Sequence, residues 1–391
     1  MKILIVSHGV INNDSGLGRV HYELIQEYKK AGHLVEKVDY SDLYPKGQNK
    51  FQRVFGSSFT EKLLNYLQKN AFKYNVIDAN FENVAFPKES FGFKGVLFVR
   101  SHGIRPLYIV AAEKIERYAK VLEAEGKAKK SIKGIAGSYI RSLYKDLTLE
   151  DFEASLKYAD VVHCLNTHEY EYFIKNGVEK NKLVFIPNGL PQHVLTGLYL
   201  DPSVRKKNNA IISFLGSWSF VKGIKDWRSI SNFLIKNSEL KEIHILGCVV
   251  SEDMVKSDFD DSVFNLLKIT STFKPNQLSY LLEKTKVGVF PSYMEGFGFA
   301  VLEQLAAGIP VVAYNIPGVA DMLNQVDPTL LIEPGKIENL VEKVKYLLNL
   351  NEDAYERLSN KCIEVSKRYI LENLAPVYLQ TFENSLKTLN G

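Results

Sequence analysis

The chain has 391 residues, a hydrophobic fraction of 46% and a formal net charge of +4. This length suggests two or three domains with buried cores, and so mild a charge gives no indication of a nucleic-acid partner. No segment has the apolar length of a membrane span, and the N-terminal apolar run is too short for a signal peptide, so a cytoplasmic protein is expected. Three widely spaced cysteines, Cys164, Cys248 and Cys362, predict reduced thiols and neither a disulfide framework nor a zinc site.

The chain begins with a strand, a glycine loop and a helix. The strand covers Lys2–Ser7, the loop contains Gly16 and Gly18, and apolar positions then recur at helical spacing from Val20 to Tyr28. A glycine loop at a helix start lets a phosphate approach the backbone closely. Because His21 stands where the third glycine of a dinucleotide fingerprint would be, a plain loop in a Rossmann-like domain remains an alternative.

Further strands follow along both halves of the chain, alternating with helical patterns. They are predicted at residues 34–38, 76–79, 95–101, 161–165, 183–186, 211–215, 243–246, 267–270, 287–290 and 310–313. This alternation predicts the α/β class with parallel sheets. Beyond Leu330 the pattern is that of amphipathic helices to the end of the chain.

His102 directly follows one of these predicted strands and precedes a glycine. It is therefore expected at the carboxyl edge of the first sheet, where open α/β sheets bind ligands. The alternative is an ordinary structural histidine, which is the usual role of a lone histidine.

A basic region at residues 120–145 interleaves cations with apolar residues. Its cations are Lys120, Lys127, Lys129, Lys130, Lys133, Arg141 and Lys145. The pattern favours a solvated helix face over the core. The alternative is a basic amphipathic surface that makes peripheral contact with anionic lipids.

The second half is organised around residues 290–314. A buried strand ends before Pro291, a loop with Glu295 follows, and a short helix, about Phe299 to Ala307, leads into the next strand. The amides at this helix start suit an anion such as a diphosphate. Glu295 and Glu303, the latter inside the helix, could each accept hydrogen bonds from vicinal hydroxyls of a sugar or a ribose.

The run from Glu295 to Ala313 resembles the Glu-x7-Glu signature of the family 4 retaining glycosyltransferases. The resemblance implies the GT-B fold, in which two Rossmann-like parallel-sheet domains face each other across a cleft. It places an acceptor domain at residues 1–195 and a nucleotide-sugar donor domain at 205–370. The last helix, at about 371–391, would pack back on the first domain.

The same resemblance assigns candidate site residues. The donor-binding residues would be Gly16, Gly18, Ser217, Lys222, Glu295, Gly296, Phe297, Gly298 and Glu303, and the catalytic residues His102, Lys222 and Glu295. Glu295 would orient the sugar, Glu303 the ribose and Lys222 the diphosphate, while His102 would stabilise charge developing on the sugar. Ser217 departs from the family, which has an arginine there, so one bidentate partner of the diphosphate is missing.

A short acidic run, Asp258-Phe-Asp260-Asp261, superficially matches a metal-binding Asp-x-Asp motif. No apolar strand precedes it, so a solvated loop or a helix start is expected, with no metal and no cofactor.

The predicted function, implied by the resemblance, is metal-independent, retaining transfer from a nucleotide-diphosphate sugar. The donor is expected to be a UDP-sugar, and the acceptor a glycan, a lipid-linked compound or a small molecule. The alternatives are a sugar-nucleotide epimerase or a phosphorylase on the same fold, or an inactive binding or scaffold protein.

Overall fold

The computed structural model describes residues 1–13, 16–45, 58–124, 147–200, 210–237 and 240–390, which form two compact units. The first unit contains the described residues of 1–109, 147–189 and 371–390, and the second contains those of 110–124 and 190–370. Most of the predicted basic region at 120–145 lies outside the described residues. The domain boundaries predicted from the sequence stay a prediction.

A six-stranded parallel sheet forms the centre of the first unit. Its strands are β1 (Lys2–Ser7), β2 (Leu34–Asp39), β3 (Val76–Asn80), β4 (Val96–Arg100), β5 (Val161–Cys164) and β6 (Leu183–Phe185). Their order across the sheet is β2-β1-β3-β4-β5-β6, and the pairings are parallel. β3 and β4 are buried along their whole length, as the continuous apolar strands of parallel sheets usually are.

A second six-stranded parallel sheet forms the centre of the second unit. Its strands are β7 (Ile211–Leu215), β8 (Glu242–Leu246), β9 (Leu267–Thr270), β10 (Val287–Phe290), β11 (Val311–Tyr314) and β12 (Leu331–Ile332). Their order is β12-β11-β10-β7-β8-β9, and the pairings are again parallel. Both units therefore have the α/β organisation predicted from the sequence.

Helices connect the strands. They are α1 (Gly16–Lys30), α2 (Tyr40–Leu43), α3 (Phe59–Asn70), α4 (Arg105–Ala124), α5 (Leu149–Tyr158), α6 (Thr167–Lys175), α7 (Gln192–Leu198), α8 (Trp227–Asn237), α9 (Glu252–Lys256), α10 (Leu278–Leu282), α11 (Phe299–Ala306), α12 (Val319–Val326), α13 (Ile337–Leu348), α14 (Glu352–Ser366) and α15 (Leu371–Asn390). Capping boxes begin several of them, such as Ser58 with Glu61 at α3 and Thr148 with Asp151 at α5. None of the described helices is both long and apolar enough to cross a bilayer.

The last helix, α15, belongs to the core of the first unit. The buried Phe382 ring meets the Phe98 ring edge-on, with their centroids 5.1 Å apart. The Tyr378 ring covers the Arg100 guanidinium at 4.3 Å, and Arg100 in turn makes two hydrogen bonds to the Asp78 carboxylate, at 2.9 and 2.6 Å. The chain therefore completes this core only with its final segment.

Every strand predicted from the sequence overlaps a strand of the structure. The expectation of helices alone beyond Leu330 is wrong, because Leu331–Ile332 form β12 at the edge of the second sheet. A strand of two residues is too short to give an alternating pattern. The three cysteines are buried thiols, as predicted.

Candidate functional site

A glycine turn joins β10 to α11. Gly298 caps the helix at φ 95°, a left-handed conformation that favours glycine. A Cβ on Gly318, at the start of α12, would lie 2.6 Å from the Gly296 carbonyl oxygen. The backbones of these two turns therefore approach each other as closely as only glycine permits, which fixes residues 296–298 at the helix start.

Lys222 and Glu295, predicted separately from the sequence, form an ion pair. They meet because the turn that carries Lys222 docks on the segment after β10: the Tyr293 amide donates to the Val221 carbonyl at 2.9 Å. The Ser292 hydroxyl donates to the same Glu295 carboxylate oxygen, Oε1, at 3.2 Å. The two charged side chains are only 17% and 13% exposed, so solvent weakens their attraction little.

Gly223 makes this docking possible. Its φ is 74°, and a Cβ there would lie 2.0 Å from the Pro291 carbonyl oxygen. The Lys-Gly sequence thus has a structural reason: the glycine allows the turn to approach β10, and the approach places the lysine beside Glu295.

Asp226, four residues after Lys222, is a buried carboxylate that sequence reasoning missed. It accepts hydrogen bonds from the Tyr293 hydroxyl at 2.7 Å and from the Tyr314 hydroxyl at 2.6 Å. These bonds tie the loop after β10, the end of β11 and the turn after Lys222 together. No motif contains the three residues, because they come from separate segments.

Glu303 lies in α11, where it is half-buried. Its neighbour Gln304 is buried and accepts a hydrogen bond from the Ser213 hydroxyl at 3.0 Å. A Cβ on Gly288 of β10 would lie 2.4 Å from the Gln304 amide oxygen, so α11 packs closely on the sheet. The sheet thereby sets the position from which Glu303 extends.

Ser217 is exposed two residues after β7, and no guanidinium stands at this position. The next residue, Trp218, is buried and donates to the Asp258 carboxylate at 2.9 Å. Asp258 also pairs with Lys225, so the expectation of a solvated loop is wrong for this buried acid. The buried Trp218 indole and Lys225 together compensate the negative charge of Asp258.

The expected helix start is confirmed for the rest of the acidic run, because Asp260 is the N-cap residue of the short helix Asp261–Leu266. Within the described residues, no group of three or more histidine, cysteine or acidic side chains could hold a metal ion.

In the first unit, His102 follows β4 in a firmly held turn. The amide of Ser101 donates to His163 Nδ1 at 3.1 Å, and the Ser101 hydroxyl donates to Glu169 at 2.9 Å. Burial, and next the neighbouring His8 and His21, hold the pKa of His102 well below its usual value. His102 is therefore a neutral imidazole near pH 7.

The predicted glycine loop differs in detail. The helix α1 already begins at Gly16, so Gly16 and Gly18 lie in its first turn. Asp39, at the end of β2, accepts hydrogen bonds from the Ile11 amide at 2.9 Å and from Lys37 at 2.7 Å. In dinucleotide-binding folds an acid at the end of this strand binds the ribose. Here the Asp39 carboxylate instead binds the backbone amide of Ile11, in the loop after β1.

Glu82, after β3, is the second residue that sequence reasoning missed. It is fully buried, and its carboxylate oxygens have no hydrogen-bond partner within the described part of the chain. Burial, with a smaller contribution from Asp151, raises its pKa to about 8 against the opposing effect of Arg105. Its φ of 66° is strained for a residue with a side chain, at a cost of about 1–3 kcal/mol.

Comparisons with known proteins agree with this architecture. Residues 261–365 match the family model of glycosyl transferases group 1. The chain is 29% identical over 175 residues to an uncharacterized glycosyltransferase of Haemophilus influenzae, covering 43% of this chain and 48% of that protein. It is 22% identical over 289 residues to the capsular polysaccharide biosynthesis glycosyltransferase CapM of Staphylococcus aureus, covering 69% of this chain and 72% of that protein.

A solved structure extends the likeness over the whole chain. Alr3699/HepE of Anabaena, solved in complex with UDP and glucose, has a TM-score of 0.65 at 15% identity and covers 98% of this chain and 100% of that chain. The two parallel sheets and this neighbour define the GT-B fold class, as predicted. The segment with Glu295 and Glu303 falls within the family match, which supports the group 1 glycosyltransferase superfamily. The chain spans about half the length of the first curated relatives that it matches.

Proposed function

We propose that this protein is a retaining, metal-independent glycosyltransferase of family 4 that uses a nucleotide-diphosphate sugar. The observation that carries the proposal is the Lys222–Glu295 pair, held at the glycine turn that begins α11. A cation near the amides of a helix start suits a diphosphate, and a carboxylate beside them suits sugar hydroxyls. The donor is expected to be a UDP-sugar, and the UDP and glucose bound by HepE support a donor of this kind.

The proposed mechanism is front-face substitution. Lys222 and the amides of Gly296, Phe297 and Gly298 stabilise the leaving diphosphate, which accepts the proton of the acceptor hydroxyl as the glycosidic bond breaks. Glu295 orients the sugar and Glu303 holds the ribose. Electrostatic stabilisation of the leaving group is the largest catalytic contribution in this mechanism.

The remaining residues of the proposal lie in the first unit. His102 is neutral near pH 7, so it would stabilise charge on the sugar through hydrogen bonding and its ring dipole, without a full positive charge. Gly16 and Gly18 lie in the first turn of α1, whose amides suit the donor phosphate.

The acceptor is a glycan, a lipid-linked or a small-molecule hydroxyl compound, and the name of CapM supports a role in cell-surface polysaccharide synthesis. The proposed location is the cytoplasm. Contact of the basic region 120–145 with the inner face of the membrane stays an alternative to a solvated helix face.

Ser217 favours a second candidate, a binding or scaffold protein without activity. An exposed hydroxyl in place of a guanidinium removes one bidentate partner of the diphosphate. Donor binding without hydrolysis or transfer to any of a broad panel of acceptors would support this candidate.

The test of the proposed function is a transfer assay with Lys222→Ala, run in excess chelator. Loss of Lys222 is expected to lower kcat about a hundredfold or more, because one stabilising partner of the leaving group is removed. Lys225→Ala is the matched control, since Lys225 pairs with Asp258 in the adjoining turn, and its rate should stay within about threefold of wild type. Equal rates for the two variants, or abolition of transfer by the chelator, would contradict the proposal. Isomerisation of the donor without any acceptor would indicate an epimerase.

A further inference from the structure

The turn after β3 holds His8 in one defined protonation state. The Asn83 side-chain nitrogen lies 2.9 Å from the Phe81 carbonyl oxygen and 2.9 Å from His8 Nδ1. A carbonyl oxygen only accepts, so the nitrogen of the amide must face it, which settles the orientation of the Asn83 side chain. The second N–H of this amide donates to His8 Nδ1.

His8 Nδ1 therefore accepts a hydrogen bond and carries no proton. The ring is neutral, with its proton on Nε2, on the opposite side from Asn83. The His8 and His102 rings lie close, with their centroids 5.3 Å apart at an angle of 51°. His8 is thus an N–H donor at the carboxyl edge of the first sheet, next to a histidine proposed to act on the sugar.

The backbone at Glu82 supports this arrangement. The left-handed conformation of Glu82 turns the chain between Phe81 and Asn83. The side-chain amide of Asn83 can therefore donate to the backbone carbonyl of Phe81. All of these side chains are buried, with His8 only 3% exposed. Left-handed backbone at a buried residue with a side chain is strained, and such strain clusters at functional positions.

We propose that Asn83 is a positioning residue for sugar transfer: it fixes His8 as the neutral Nε2–H tautomer, so that His8 donates to His102 or to a substrate hydroxyl. This inference rests on the proposed function. The titratable and charged groups that the structure brings to this edge are His102 after β4, His21 on α1 and Glu82 after β3, the last with Arg105 and Asp151 nearby.

The test is the variant Asn83→Asp, which replaces the hydrogen-bond-donating amide by a carboxylate that only accepts hydrogen bonds. A carboxylate would take its hydrogen bond from His8 Nδ1–H, so the neutral ring would lose the proton on Nε2 and could no longer donate there. Protonation of the ring at acid pH would restore that donor. Transfer by Asn83→Asp is therefore expected to fall roughly tenfold as pH rises from about 5.5 to about 8.5, relative to wild type over the same range.

Two further measurements separate positioning from damage to the fold. Nitrogen-15 spectra of the His8 ring in the wild-type protein should show protonated Nε2 and unprotonated Nδ1, and the assignment should reverse in Asn83→Asp at high pH. The double variant with His8→Asn should lose the extra pH dependence, because no ring remains to titrate.

A wild-type ring protonated on Nδ1 would overturn the proposal whatever the activity. The proposal would also be overturned if transfer by Asn83→Asp had the same pH profile as transfer by wild type, because the tautomer of His8 would then not affect transfer. If the wild-type protein transfers no sugar while the spectra show the expected tautomer, the proposed function fails, and the positioning role fails with it.

Discussion

At the scale of single residues, the structure holds polar groups in states that differ from those of the free side chains. Glu82 is a buried carboxyl whose pKa is raised to about 8, from an ordinary value of 4.5, mainly by burial. His102 is a neutral imidazole for the same reason. Both lie at the carboxyl edge of the first sheet, where ligands bind in folds of this class.

Glu82 makes stability depend on pH. Between pH 4.5 and pH 8 the folded protein keeps the Glu82 proton and the unfolded chain does not, so the free energy of unfolding falls as pH rises through this window. Glu82→Gln removes this dependence. The free energy of unfolding of Glu82→Gln minus that of wild type should therefore grow between pH 4.5 and pH 8. The expected increase is up to about 4 kcal/mol.

Urea unfolding of both proteins at pH 4.5, 6.5 and 8 measures this effect. Glu89→Gln, which changes an exposed carboxyl of the same unit, is the control. A difference between wild type and Glu82→Gln that stays constant with pH would show that Glu82 is ionised in the folded protein.

The sequence predicted the residues of the ion pair but not two buried carboxyl groups, Asp226 and Glu82. Lys222 and Glu295 were predicted because each lies in a short segment that resembles a motif of the family 4 glycosyltransferases. Asp226 and Glu82 were missed because their roles come from burial and from partners distant in the chain, such as Tyr314 for Asp226. A local pattern contains no information about such contacts.

At the scale of elements, glycines set how closely the site segments approach each other. The turn with Lys222 can dock after β10 only because Gly223 has no side chain. Strand and helix positions were predictable, since hydrophobic periodicity determines them. The docking of one turn on another was not, because it depends on backbone hydrogen bonds between segments such as that from Tyr293 to Val221.

Gly223→Ala tests this docking. The new Cβ would meet the Pro291 carbonyl oxygen at 2.0 Å, so the turn must shift, and we expect a loss of about 2 kcal/mol or more together with weaker nucleotide binding. Gly177→Ala is the control, because Gly177 has a similar φ of 80° but open space around it, and it should lose only about 1–2 kcal/mol. Urea unfolding and calorimetry with a nucleotide measure both effects. If Gly223→Ala bound the nucleotide as tightly as wild type does, the docking of this turn would not be needed for nucleotide binding.

At the scale of the whole molecule, the chain closes its first core with its last helix. The core of the first unit combines apolar residues of β1, β3, β4 and α1 with Leu371, Tyr378 and Phe382 of α15. The first unit therefore depends on a segment that follows the entire second unit in the sequence.

Phe382→Ala is expected to lower the free energy of unfolding of the first unit by about 3–5 kcal/mol, because a buried ring is replaced by a cavity. Val377→Ala on the same helix is the control, since Val377 is 45% exposed and should change stability by about 0.5 kcal/mol or less. Hydrogen exchange followed by mass spectrometry reports on each unit separately. Equal protection of β3 and β4 in the two variants would contradict the role of α15.

The proposed function requires the second unit to bind a nucleotide-diphosphate sugar. The most direct measurement is a thermal-shift screen of UDP, GDP, ADP and dTDP sugars against wild type and Glu303→Ala. A ligand at a hundred times its dissociation constant should add about 2.7 kcal/mol of stability. Stabilisation by one nucleotide class, expected to be UDP, should appear in the wild type and be lost in Glu303→Ala. No stabilisation by any donor, or equal stabilisation of both proteins, would contradict it.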